Sequence, residues 1–281
     1  MRIVITGSKG MLGYDLSKRL YKKYSLIGID IDNCDIVSDK IIDYILRKEP
    51  EFVFHLAAYS NVDMAEEERE RAYNVNVIGT KNIVTVCEKV NIPLVLISTD
   101  YVFDGSKKTA YRENDTTKPI NFYGKTKKEA EDIVKNRLEK FFIVRTSWLF
   151  GKNGKNFVKT ITSLSQKRDK IEVVNDQKGS PTYTFDLSAA LEMFLASNKY
   201  GIYHITNKGI CTWFDFAKEI VSLSNIKTEI IPIKSVDFKR PAKRPHNSAL
   251  DNSHFEKIFS NKMPTWKDAL GRHLLTETRE Q

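Results

Sequence analysis

The sequence predicts a doubly wound α/β fold, a parallel sheet with helices on both faces, followed by a smaller α/β lobe. Three observations predict it. Short apolar runs alternate with longer amphipathic stretches through the first half of the chain, which implies right-handed strand–helix–strand crossovers. The first junction carries glycines at three-residue spacing, Gly7, Gly10 and Gly13. After Gly151 the alternation becomes less regular and turn signals such as Gly179-Ser180-Pro181 and Arg244-Pro245 accumulate.

Taken in order, the expected strands are 3–6, 25–30, 52–55, 94–98 and 142–145, each an apolar run of strand length. Amphipathic stretches at 11–21, 39–47, 72–90 and 123–138 supply the crossover helices. These elements define a first domain at residues 1–150. The lobe at 151–281 is expected to hold helices at 157–166, 186–196, 213–223, 252–259 and 265–274. Strands at 171–174, 201–205 and 229–231 complete it, one of them returning to the main sheet.

Composition narrows the function. The 281 residues, 41% of them hydrophobic, suffice for one large domain or a domain with a smaller lobe. No stretch approaches the roughly 20 apolar residues of a membrane span, so no membrane partner is expected. The chain runs straight into a strand without a secretory leader pattern. Cys34, Cys87 and Cys211 are odd in number and scattered, as free thiols in a reducing cytosol are; a cytoplasmic protein is expected. The net charge of +9 is mostly interleaved with acids, and Lys239-Arg240-Pro241-Ala242-Lys243-Arg244 is its densest run. Net charge speaks of association and not of fold; a small anionic substrate explains the run, and no nucleic acid is expected. The five histidines show no HExxH spacing, and no metal is predicted.

Glycines at a strand-to-helix junction permit a tight turn and close approach of phosphates. The helix that follows presents its free N–H groups and positive dipole end. The expected ligand is therefore a nicotinamide dinucleotide. Asp30 ends the second strand, where a carboxylate reads the adenosine ribose and favours NADH. Lys9 precedes the second glycine, where an ammonium group pairs with a 2′-phosphate and favours NADPH. The choice between NADH and NADPH stays open.

Tyr123 and Lys127 are four apart on an expected helix, hence on one face. A tyrosine that protonates a reduced carbonyl needs a neighbouring cation to lower its reference pKa of about 10, and Lys127 is the expected cation. Thr99, at the end of the 94–98 strand, is placed to hydrogen-bond the carbonyl oxygen. Arg244 has the planar fork that suits a diphosphate, and Asn156 is a second candidate for that end of the substrate.

These groups lie in longer motifs: His55-Leu-Ala-Ala-Tyr-Ser-Asn-Val-Asp63, Ser98-Thr-Asp-Tyr-Val-Phe-Asp-Gly105 and Asn121-Phe-Tyr-Gly-Lys-Thr-Lys127. Arg145-Thr-Ser-Trp-Leu-Phe-Gly151, Val174-Asn-Asp-Gln177 and Arg244-Pro-His-Asn247 follow. Over nearly the whole chain this set resembles the extended short-chain dehydrogenases/reductases, Rossmann-type proteins with a Thr/Ser–Tyr–Lys triad. Within them it is most similar to the dTDP-4-dehydrorhamnose reductase family. The resemblance implies reduction of the 4-keto group of dTDP-4-dehydro-β-L-rhamnose by NADPH or NADH to give dTDP-L-rhamnose. It also implies that Thr99, Tyr123 and Lys127 are catalytic and touch the cofactor, Thr99 and Tyr123 touching the sugar as well.

By the same resemblance Gly7, Gly10, Met11 and Leu12 hold the pyrophosphate, with Asp35 and Ile36 near the adenine. Ala57, Ala58 and Tyr59 lie along the cofactor, and Val62, Tyr101 and Trp148 surround the dTDP-sugar. Some family members hold a divalent ion at a dimer contact; Asp15 corresponds to one ligand, but Phe185 stands where another acid is expected. The oligomeric state, a homodimer included, stays open.

Three rivals are weighed. A 4,6-dehydratase needs an acid pair after the threonine, whereas here Asp100 is followed by Tyr101. A 4-epimerase would rotate a keto-sugar over a retained cofactor. A regulatory subunit resembling that of methionine adenosyltransferase need not retain Thr99, Tyr123 and Lys127.

Overall fold

A computed structural model describes residues 1–224 and 226–278. The first half runs β1 (Arg2–Thr6), α1 (Met11–Leu20), β2 (Ser25–Ile29), α2 (Lys40–Leu46) and β3 (Phe52–His55). Next come α3 (Met64–Glu67), α4 (Arg69–Tyr73), a π-helical turn at Asn74–Ile78 and α5 (Gly79–Val90). β4 (Leu94–Thr99), α6 (Phe122–Arg137) and β5 (Phe141–Thr146) complete it. The remainder holds β6 (Leu149–Phe150), α7 (Phe157–Ser165), β7 (Lys170–Val174), β8 (Lys178–Gly179), β9 (Thr182–Tyr183) and α8 (Thr184–Glu192). It ends with β10 (Gly201–His204), β11 (Cys211–Thr212), α9 (Trp213–Leu223), β12 (Glu229–Ile233), α10 (Ser253–Phe259) and α11 (Trp266–Thr278).

The main sheet has the order β10-β5-β4-β3-β1-β2, and every pairing in it is parallel. Alternate residues serve opposite faces, as the pleat requires. Ile3 and Ile5 pack with Phe52, Phe54 and Phe142 against α1 and α8. Val4, Val53, Leu94, Leu96 and Ile143 pack against α2, α5 and α6. Burial on both faces is why these strands read as unbroken apolar runs. The chain leaves β1 toward β2 and returns past it to β3, so a switch point opens at the carboxyl ends of β1 and β3.

Strands of the second half form two-stranded pieces, β12 with β7, β11 with β8 and β6 with β9, while β10 joins β5 in the main sheet. A third core, including Phe150, Ile161, Phe216 and Trp266, lies among them. Among the described residues no helix is long and apolar enough to cross a membrane.

The expected 186–196 helix is α8 followed by a 3₁₀ turn at Met193–Ala196, and one element differs further. The 72–90 helix begins earlier, as α3 and α4, and widens into the π-helical turn before α5. Asn76 sits inside that turn, accepting from the Tyr59 N–H at 2.8 Å. Its amide also donates to the Tyr59 carbonyl at 3.1 Å and to the Thr126 hydroxyl at 2.9 Å. Amphipathic periodicity does not register such a turn, because the apolar face stays continuous across it.

Candidate active site

A cleft of about 1100 Å³ runs along the carboxyl ends of the strands. Gly7 takes φ +69°, open to glycine, and a Cβ there would stand 2.8 Å from the Ala57 nitrogen. Backbone therefore touches backbone at the floor of the cleft. Gly10 caps α1 with no side-chain hydrogen bond, and no acid occupies the helix's first turn. The Gly10 N–H closes the loop on the Gly7 carbonyl at 3.0 Å, and Met11 and Leu12, the first residues of α1, line the cleft with the positive dipole end behind them. A cradle of this kind fits a dinucleotide pyrophosphate.

Beneath the loop, a buried network joins β1 to β3. The Thr80 hydroxyl donates to the Asn76 carbonyl at 2.6 Å, so at 3.1 Å it receives the His55 Nε2–H. His55 Nδ1 then accepts from the Thr6 hydroxyl at 2.7 Å, and Thr6 accepts from the Ala57 N–H at 3.3 Å. Burial and the charge of Lys127 push His55 down to about 3, which keeps this tautomer neutral. The network fixes where Ala57, Ala58 and Tyr59 line the cleft.

Asp35 and Ile36 also line the cleft, Asp35 accepting from the Val37 N–H at 2.9 Å. Asp30 has a use that the sequence did not reveal. Its Oδ2 accepts from the Ser8 hydroxyl at 2.7 Å and from the Lys9 N–H at 2.8 Å, latching the glycine loop. The Lys9 ammonium group reaches past it to the Asp32 carboxylate at the exposed rim.

β4 delivers Thr99 to the cleft, where its hydroxyl accepts from the Tyr101 N–H at 3.2 Å and donates to Asp100 Oδ1 at 3.0 Å. α6 begins at Asn121, whose side chain accepts from the Gly124 N–H at 2.8 Å. Its first turn presents Tyr123, and Lys127 follows one turn later. A Cβ at Gly124 would collide with the Tyr101 carbonyl, so this close packing sets the helix against the Thr99 segment.

The expected acidification of Tyr123 by Lys127 is corrected here. Burial, and then the charge of Asp100, push the phenol up, with the Thr99 hydroxyl opposing them. Burial pushes Lys127 down to about 8, against the charge of Glu131. The reason is desolvation, which disfavours phenolate and ammonium alike. Tyr123 therefore holds its proton at neutral pH, the form a proton donor needs. Burial also pushes Asp100 up to about 7, against hydrogen bonds from Ser248 and Thr99.

Val62, Tyr101 and Trp148 also line the cleft. The Tyr101 ring meets Tyr123 edge-on at 6.2 Å. Trp148 takes φ +48° and stacks on Trp213 at 3.5 Å between ring centres. Tyr101 and Trp213 are shared with a second cleft of about 990 Å³, lined by Phe157, Phe238, Arg240, Lys243 and Arg244. There Arg244 forms a two-pronged pair with Asp63 at 2.9 and 2.8 Å, and Arg240 joins it at 3.0 Å. Burial works to raise Asp63, but the two arginines outweigh it and hold it at about 2. Asn121 donates to the Lys243 carbonyl at 2.8 Å, tying this segment to the start of α6.

Asn156 lines neither cleft. Its side chain caps α7, accepting from the Lys159 N–H at 3.0 Å and donating to the Gly151 carbonyl at 2.8 Å. Sequence reasoning assigned no role to Asp63 or Trp213, and used Asp100 only to argue against a dehydratase. Asp100 carried a signal, an acid directly after the candidate threonine, whereas nothing local connects residue 63 to residue 244.

Fold and site together define a Rossmann-type oxidoreductase of the short-chain dehydrogenase/reductase class. The RmlD substrate binding domain family matches residues 1–279, and the chain belongs to that family. It is 38% identical to the dTDP-4-dehydrorhamnose reductase of Aggregatibacter actinomycetemcomitans, over 96% of this chain and 97% of that one. It is 34% identical to the spore coat polysaccharide biosynthesis protein SpsK of Bacillus subtilis, over 97% and 96%. Among solved structures, the dTDP-4-dehydrorhamnose reductase of Bacillus anthracis in complex with NADP superposes with a TM-score of 0.95. The two chains are 40% identical, with 98% of this chain and 99% of that one covered.

Proposed function

We propose that this protein reduces the C4 ketone of dTDP-4-dehydro-β-L-rhamnose with NADPH or NADH, giving dTDP-L-rhamnose. The observation that carries the reading is the convergence of Thr99, Tyr123 and Lys127 with the Gly7–Leu12 loop on one cleft, in a chain of the RmlD family. The glycine loop and the α1 N-terminus would hold the pyrophosphate. When bound, a reduced nicotinamide supplies the hydride. Thr99 orients the ketone oxygen, and Tyr123 gives its proton to that oxygen as alkoxide character develops. Lys127, charged below about pH 8, holds the ribose and favours return of a proton to Tyr123.

The second cleft suits the nucleotide part of the substrate, with aromatic rings beside a basic edge. Asp100 stands next to Tyr101 where a dehydratase has a second acid, which supports reduction over elimination of water. The retained triad argues against a purely regulatory role. Residues 1–150 as cofactor domain, 151–281 as substrate lobe, a cytoplasmic location and a homodimer belong to the same proposal.

The test mixes the protein with dTDP-4-dehydro-L-rhamnose and NADPH or NADH and follows loss of reduced-nicotinamide absorbance. Sugar-dependent oxidation supports the reading and ranks the two cofactors. Cofactor binding without turnover would overturn it.

A further inference from the structure

One turn beyond Lys127 on α6 lies a carboxylate that the reaction does not touch. The Glu131 and Arg145 side chains are 1% and 2% exposed. Arg145 donates to Glu131 through Nε at 2.9 Å and Nη2 at 2.7 Å, and the Ser98 hydroxyl donates to the same carboxylate at 2.5 Å. The third arm of the guanidinium donates to the Glu113 carbonyl at 3.1 Å. Burying two charges costs several kcal/mol per ion, and apolar residues of like volume often stabilise as well. Stability therefore gives a weak reason for the pair. Its location gives a better one. Ser98 precedes Thr99 on β4, Arg145 lies on β5, and Glu131 shares a helix face with Lys127 at four-residue spacing.

We propose that Glu131, clamped by Arg145 and Ser98, is a positioning residue that keeps Lys127 charged and in register with Thr99. This rests on the reductase reading of the same site. The groups facing Lys127 can be named element by element. Tyr123 lies on its own helix, and Thr99 and Asp100 stand at the end of β4. His55 faces it from β3 and is neutral, at about 3. Behind Glu131 stands Arg145, backed by His204 of β10 at 3.4 Å. Burial and Arg145 push His204 also down to about 3. Both imidazoles are thus silent above pH 5. Glu131 opposes the burial that strips Lys127 of its proton, and Arg145 moderates how strongly it does so.

Opposite substitutions should therefore move Lys127 in opposite directions. Glu131→Gln removes the carboxylate charge that supports the ammonium group and lowers its pKa. Arg145→Met leaves Glu131 uncompensated and raises it. Each shift is expected to be on the order of one pH unit.

The direct readout is the titration of Lys127 in the NADP-loaded full chain, by NMR of [13Cε]lysine, its signal assigned by loss in Lys127→Arg. The parallel readout is the alkaline limb of kcat with the keto-sugar. Opposite shifts support the proposal; shifts of one sign, or none, overturn it, since a merely structural pair has no reason to move Lys127 both ways. E131Q strands a buried cation. If it does not fold, Arg145→Met decides alone, an upward shift supporting the proposal and an unmoved Lys127 overturning it. Failure of the wild type to reduce the keto-sugar would sink the functional reading and leave the NMR titration standing.

Discussion

The proposed cofactor wall of the cleft and its proposed substrate wall are built by different means. On the cofactor side the working groups are backbone amides, positioned by Gly7, Gly10 and the start of α1 within a few residues of chain. On the substrate side they are side chains, Tyr101, Trp148, Trp213 and Arg244, brought together from across the chain. A wall made of backbone is fixed by a short local motif. A wall made of side chains depends on distant partners that hold each of them still.

The largest expected effect falls where the walls meet. Tyr123→Phe removes the proposed proton donor but no part of the cradle, so kcat should fall at least about a hundredfold with cofactor affinity nearly unchanged. Steady-state kinetics with a cofactor titration checks it, and turnover like wild type would exclude Tyr123 as donor.

The substrate wall is tested at Asp63, which touches no expected cofactor position and holds Arg244 and Arg240. Charge-assisted hydrogen bonds contribute about 1.5–3 kcal/mol each, so Asp63→Asn should raise KM for the dTDP-sugar by about tenfold or more. Both kcat and the Kd for NADPH should stay near wild type. A matching loss of cofactor affinity would mean the two walls are not separable.

The cofactor wall is tested at Asp30. Its Oδ2 is spent on the loop, so Asp30→Ala should weaken NADH and NADPH alike, by roughly fivefold for about 1 kcal/mol of lost hydrogen bonding. A loss confined to NADH, measured by fluorescence titration, would restore the ribose as its partner.

The smallest effect concerns acid stability. Asp63 is held at about 2, below its unfolded value near 3.8. Its clasp therefore stabilises the fold fully above pH 4 and fades as pH falls through 2. Between those limits the wild-type Tm should fall more steeply than that of Asp63→Asn, by about 2–4 °C. Parallel melting curves would remove the clasp from the account.

The same contrast explains what the sequence disclosed. Strands of the main sheet are apolar because both faces are buried, and their bounds fall within a residue or so of the expected ones, as at 52–55. The grouping of Thr99, Tyr123 and Lys127 on one cleft was readable because helical spacing and a strand end bring them to one edge. The Asp63 clasp was not, because it joins residues 181 positions apart. Asn156 misled for the opposite reason: its effect is local, the side chain accepting from a free N–H at the start of α7. The direction of the Tyr123 shift differs from the expected one because desolvation depends on the surrounding packing, which spacing alone does not express.

The most direct measurement follows the hydride itself. Reduction of dTDP-4-dehydro-L-rhamnose with NADPH deuterated at the transferring position should leave deuterium on C4 of the dTDP-L-rhamnose formed, seen by proton NMR and mass spectrometry. Product without deuterium at C4, or label at another carbon, would contradict reduction of the C4 ketone at this site.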